Sequence, residues 1–206
     1  GIPTAGRDEF AALRLALPRQ RPLQQVFARF GEILASGGSS ADSLRPLLQN
    51  LAQAEDIARG DTRKQALQDS GQFLERRLQG DAPSSELRRD LKANLLQLLA
   101  ALDRSSEDDD LAHQAEAALA RIQLHQLAAA APDYAPPAWA GEIPLRHGEQ
   151  VDVCRLRIDR DGSHGAEGGQ TGWSTWISLD LKSLGPLHAR LTLNGLALST
   201  TLWAES

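Results

Sequence analysis

The sequence predicts an α+β fold: an N-terminal all-α helical bundle followed by a small, mainly antiparallel β domain. Three observations predict it. Apolar residues recur at helical spacing in the first part of the chain and alternate in the last. All four Phe (Phe10, Phe27, Phe30, Phe73) precede residue 131, and all four Trp (Trp139, Trp173, Trp176, Trp203) follow it. Between the two parts lies Ala131-Pro-Asp-Tyr-Ala-Pro-Pro-Ala138, whose prolines forbid continuous helix and favour an extended spacer. The expected organisation is a bundle over 8–130, a Pro-rich linker over 131–139 and a β domain over 140–206.

In chain order, Phe10, Leu13 and Leu17 mark one face of a short opening helix that Pro18 stops. Val26, Phe27, Phe30, Ile33 and Leu34 form a second stripe, ended by Gly37-Gly38. Leu44, Leu47, Leu48 and Leu51 form a third, in which Pro46 is expected in the first turn and Gly60 at the end. Asp61 or Thr62 can cap a helix with Leu67, Ser70, Gly71, Leu74 and Leu78 on one face. Ser84 or Ser85 opens a pattern through Leu87, Leu91, Leu95, Leu98, Leu99 and Leu102. Ser105-Ser-Glu-Asp-Asp-Asp110 opens the last helix, where a hydroxyl cap and acids suit the positive end of the dipole. Leu111, Ala115, Leu119, Ile122 and Gln126 line its face. Short loops between five or six helices imply a bundle.

Beyond the linker, 142–146 reads as a short strand. A second strand covers 150–159; its apolar parity changes between Val153 and Cys154, which predicts a bulge. A glycine-rich loop follows, and then Ile177, Leu179 and Leu181 alternate. Asn194-Gly195 signals a two-residue hairpin turn. Folding about that pair would set Leu193 opposite Leu196, Leu191 opposite Leu198, Ala189 opposite Thr200 and Leu187 opposite Leu202, all on one face. Such a row needs a cover, because burying a large aliphatic side chain is worth about 1.5–3 kcal/mol. The helical part, another strand layer, a second molecule or further chain could supply it.

Charge and motifs exclude several function classes. The net charge of −5 divides as −2 over 1–131 and −3 over 132–206, so neither part offers the cationic face that nucleic acid or an anionic membrane surface requires. The longest apolar run, Leu95–Leu102, is too short to span a bilayer. Gly1 as first residue and the lack of Met lead to the expectation of a piece of a longer protein. With Cys154 alone, neither a disulfide nor a cysteine zinc cluster can form within the chain. His113, His125, His147, His164 and His188 make no metal-binding spacing. Asp159-Arg-Asp-Gly-Ser163 lacks the glycine and acid positions of a calcium loop, and the glycines of 162–172 have no phosphate-reaching lysine. No nucleophile elbow is present. The reading is therefore a non-enzymatic chain without metal or cofactor.

The segment 176–203, WISLDLKSLGPLHARLTLNGLALSTTLW, resembles the core of the C-terminal domain of flagellar hook-length control proteins. In that family a strand leads to a turn with a Leu-Gly pair, here Leu184-Gly185, and then to two alternating strands. Glu142-Ile-Pro-Leu-Arg146 resembles the strand before the core, and Ser70–Glu75 with Asp90–Lys92 resembles helical segments of longer members. Lys182 stands where the family often has Pro, and a helical part replaces its low-complexity ruler. The resemblance implies a cytoplasmic regulator, itself exported through the flagellar type III apparatus. Its C-terminal domain would contact the cytoplasmic domain of the export-gate switch protein, and hook components, to change which subunits are exported. A lone cysteine leaves no cross-link to oppose export.

The candidate partner-binding residues are Trp173, Trp176, Leu184, Gly185 and Pro186. The two tryptophans fall on opposite strand faces, with one expected in the core and the other at an edge or in a contact patch. Gly185 is expected at positive φ, with Pro186 fixing the exit into the next strand. The alternative to a flagellar role is a binding or scaffold module outside flagella that shares the fold.

Overall fold

The computed structural model describes residues 11, 14–102, 108–130, 138–161, 172–181 and 185–204. It is a mixed α/β structure, with eight helices among the described residues and one six-stranded, mostly antiparallel sheet. Phe10 and Leu13 of the expected opening helix, and most of the Pro-rich spacer, lie outside the described residues.

Helix α1 (Leu23–Ser36) buries the predicted stripe of Val26, Phe27, Phe30 and Ile33, with Leu23 added at its first turn. Gly37 and Gly38 end it at φ +75° and +86°, where a Cβ would be strained. Helix α2 (Ser39–Gln49) starts earlier than expected, so Pro46 sits inside it rather than in its first turn. It also stops earlier. The chain extends at Ala52–Gln53 (β1), and a 3₁₀ turn at Ala54–Ala58 leads into α3 (Gly60–Gln68). The stretch expected to be purely helical thus contributes a strand, which pairs in parallel with β2 (Ala138–His147) through Ala52–Leu145 and Gln53–Arg146.

The helix expected across 61–78 is broken into α3 and α4 (Leu74–Gln79), and the one expected from 84 into α5 (Ser84–Leu87) and α6 (Leu91–Ala101). A largely buried ion network ties the two breaks together. Arg77 reaches Asp69 at 2.9 Å and Asp90 at 3.5 Å and donates to the Glu86 carbonyl at 2.9 Å. The Leu91 N–H donates to the Asp69 carbonyl at 2.8 Å. Asp90, wholly buried, caps α6 by accepting the Ala93 N–H at 3.1 Å. Helix α7 (Asp109–Ala130) then runs with Leu111, Ala115 and Ile122 inward, as expected. No helix among the described residues is long and apolar enough to cross a membrane.

Strands β2, β3 (Gln150–Asp161), β4 (Gly172–Leu181), β5 (Gly185–Asn194) and β6 (Ala197–Ala204) follow in sheet order, each antiparallel to the next. The expected bulge at Val153–Cys154 is absent: the β2–β3 register is unbroken from Ala138–Asp159 to His147–Gln150. The parity change has another cause. Helices lie against both faces of this end of the sheet. Val151 and Val153 join the main core with Leu23, Phe27, Phe30, Leu95 and Ile122. Cys154, one residue on, turns to the opposite face. There Ile143 and Leu145 meet Ala52, Ile57, Ala66 and Leu67 in a second cluster.

Glu142 ties the two parts together. It is 4% exposed, and its carboxylate accepts the Leu23 N–H at 3.0 Å and Arg121 at 3.2 and 3.0 Å. Gln24 Oε1 accepts the Val153 N–H at 2.9 Å. On the other face Phe73 stacks on Trp139 with centroids 6.2 Å apart.

Candidate functional site: the bare half of the sheet

The helices cover β2 and the first half of β3. Strands β4, β5 and β6 extend past them. Residues paired across antiparallel strands share a face, so the registers define two surfaces. One carries Trp173, Thr175, Ile177, Leu179 and Leu181 of β4; Leu187, Ala189, Leu191 and Leu193 of β5; and Leu198, Thr200, Leu202 and Ala204 of β6. None of these side chains is ionisable. The other carries Ser174, Trp176, Ser178 and Asp180, then Pro186, His188, Arg190 and Thr192, then Ser199, Thr201 and Trp203.

The hairpin between β5 and β6 differs from expectation by two positions. The turn residues are Gly195 and Leu196, flanked by the Asn194–Ala197 pair, and Leu193 faces Leu198 while Leu191 faces Thr200. Gly195 has φ +59° and Asn194 does not take a positive φ. That is the geometry of a turn with glycine at its first central position, whereas a turn centred on Asn-Gly needs positive φ at both. A two-residue shift preserves parity, so the leucine row keeps its shared face.

Among the described residues no helix packs closely on the leucine row. Leu198 and Leu202 are each 64% exposed, Leu193 is 40% exposed and Leu196 is fully exposed in the turn. Trp173 and Trp176 do lie on opposite faces, but neither is in the core: they are 43% and 37% exposed. The expected burial of one of them fails because the helices stop short of β4.

Each tryptophan has a cation instead. The Arg160 guanidinium lies 5.9 Å from the Trp173 ring, and that of Arg190 lies 4.8 Å from Trp176. Trp203 meets Trp176 edge-on at 6.1 Å, and His188 packs on Trp203 while its Nδ1 sits 3.0 Å from Ser178 Oγ.

Gly185 has φ +76° and opens β5 opposite Leu181, and Pro186 follows opposite Asp180. Leu184 lies outside the described residues. The structure therefore brings Trp176 together with Arg190, His188 and Trp203, while Gly185 and Pro186 stand at the far end of the same strands. Sequence reasoning missed Arg190 and His188. Their even positions in β5, read against an even Trp176, are the one signal that could have found them.

Ionisable groups with displaced pKa values lie elsewhere. Burial raises Asp90 to about 6, opposed by its cap bond and Arg77. Burial also pushes the Cys154 thiol up to about 11, which keeps it protonated and unreactive. Burial, and then the Arg121 charge, hold His125 below its ordinary value. Among the described residues no group of three His, Cys, Asp or Glu is placed to hold a metal ion. The bare half offers what a contact surface needs, an apolar face with Arg160 at its border against Trp173, backed by an aromatic and cationic one. Comparison with family models, with curated proteins and with solved structures found no match to the chain.

Proposed function

We infer that the chain acts by protein–protein contact through β4–β6, as a hook-length control and export-switch protein of the bacterial flagellum. One observation carries the reading. The segment whose residues resemble the hook-length control core is also the segment that leaves Leu193, Leu198 and Leu202 of the leucine row exposed to solvent. An uncharged patch of this kind is costly for a lone domain and ordinary for a docking face. In this reading the cytoplasmic domain of the export-gate switch protein docks against β4–β6. Trp173 anchors the contact on the leucine face, Trp176 extends it onto the opposite face, and Gly185 and Pro186 flank it. The chain performs no chemistry of its own; it changes what the gate exports.

The packed helical part favours a second reading, a binding module outside flagella. Helices that hold the sheet on both faces at one end are suited to a rigid platform more than to a flexible ruler. Hook length in a strain deleted for the gene separates the two. Long hooks without filaments support the switch, and normal hooks and filaments support the non-flagellar module.

A further inference from the structure

The two edges of the sheet are built differently. The β1 edge is two residues long and sits among helices, with Ala52 packed in the second cluster. The β6 edge is eight residues long, Ala197-Leu-Ser-Thr-Thr-Leu-Trp-Ala204, and every one of them is exposed. Edge strands are ordinarily protected by shortness, charge, proline, a bulge or a covering element. The first edge has shortness and cover. Among the described residues the second has none of these: its eight residues hold no charge, no proline and no glycine, and its pairing with β5 is unbroken.

We propose that β6 pairs with β6 of a second copy of this chain, antiparallel across a two-fold axis, to make one continuous sheet. A second copy fits because the strand is complementary to itself. It is uncharged, so two copies meet without like-charge repulsion, and it alternates, so two copies can keep their faces aligned. Alignment requires that residues of like parity pair. The register that sets Thr200 opposite the partner's Thr200 does this. It places Leu198 opposite the partner's Leu202 twice over and joins the two leucine rows side by side. An isologous contact of this type closes on itself and stops at two copies. It also uses only the edge, so the apolar face stays open for the partner inferred above. A stable interface buries about 1,200–2,000 Å² over both partners; Leu196, Leu198, Leu202 and Trp203, all exposed in each copy, line this edge.

The test is sedimentation equilibrium of the full chain with three variants. The chain as it stands should sediment as a dimer whose fraction rises with concentration. Ser199→Lys with Thr201→Lys places like charges across the axis on the polar face and should give a monomer that still unfolds cooperatively, with a Tm that no longer depends on concentration. Thr200→Cys should form a disulfide-linked dimer on mild oxidation, because directly opposed Cα atoms lie about 4.5–5.5 Å apart, within disulfide reach. Cys154 is half-buried and its thiol stays protonated, so it does not compete. A monomer at every concentration overturns the proposal. So does an assembly that survives the two lysines, or a dimer in which Thr200→Cys fails to cross-link. The hook phenotype is read separately, so a monomer that still ends hook growth defeats the dimer alone.

Discussion

The Leu23 N–H, at the first turn of α1, donates to Glu142 Oε2 at 3.0 Å, from a strand 119 residues further along the chain. A helix start leaves its first N–H groups without partners and carries partial positive charge. Here a strand carboxylate supplies the acceptor, and Arg121 of α7 closes the triangle. Helices and sheet are thus joined through one buried group. Glu142→Ala should cost about 3 kcal/mol, the scale for breaking a buried pair. It removes the acceptor while leaving Arg121 facing the gap. Denaturant unfolding checks this: the parent should unfold in one transition, and the variant should lose that coincidence between helical and tryptophan signals.

Asp90 gives a pH signature. Its folded pKa of about 6 lies above its ordinary 3.8, so between those values the folded state binds more protons than the unfolded one. Stability from this group is therefore highest below about pH 4 and falls as pH rises to about 6. Asp90→Asn keeps a capping side chain and cannot ionise. Relative to the parent, it should gain on the order of 2–3 kcal/mol between pH 4 and pH 6. Thermal unfolding of both proteins across that range measures the difference. A constant gap would rule out the raised pKa.

Gly71 turns the chain between α3 and α4 at φ +88°, and a Cβ there would lie 2.9 Å from the Lys92 backbone nitrogen and 3.1 Å from Ile122 Cδ1. Backbone cannot yield as a side-chain tip can. Gly71→Ala should destabilise by about 2 kcal/mol or more, from the strained φ and the clash together. Chemical denaturation is sufficient to see it, and a shift of a few tenths would contradict the close approach.

Where local pattern decides structure, the sequence was readable. The α1 stripe, the inward face of α7 and the parity of β4–β6 all follow from spacing alone. Where distant groups decide, it was not. At the breaks near Asp69 and Asp90, Arg77 reaches both carboxylates, a meeting that helical spacing does not show. Strand β1 has two residues and hence no periodicity to read. The parity change at Val153–Cys154 reports two layers of helix rather than a bulge, a fact of tertiary cover. Of the candidate site, the face assignments were legible, and the exposure of both tryptophans was not, because it depends on how far the helices extend over the sheet.

In this reading the exposed leucines of β5 and β6 form a working surface and not a structural core. Leu198→Asp with Leu202→Asp tests it, since both residues are 64% exposed and exposed substitutions ordinarily cost within about 0.5 kcal/mol. The measurement is hook length by electron microscopy in a deletion strain carrying this variant, after its thermal unfolding is shown to match the parent. A folded protein and long hooks that lack filaments are expected. Normal hooks with filaments, from a folded variant, would contradict it.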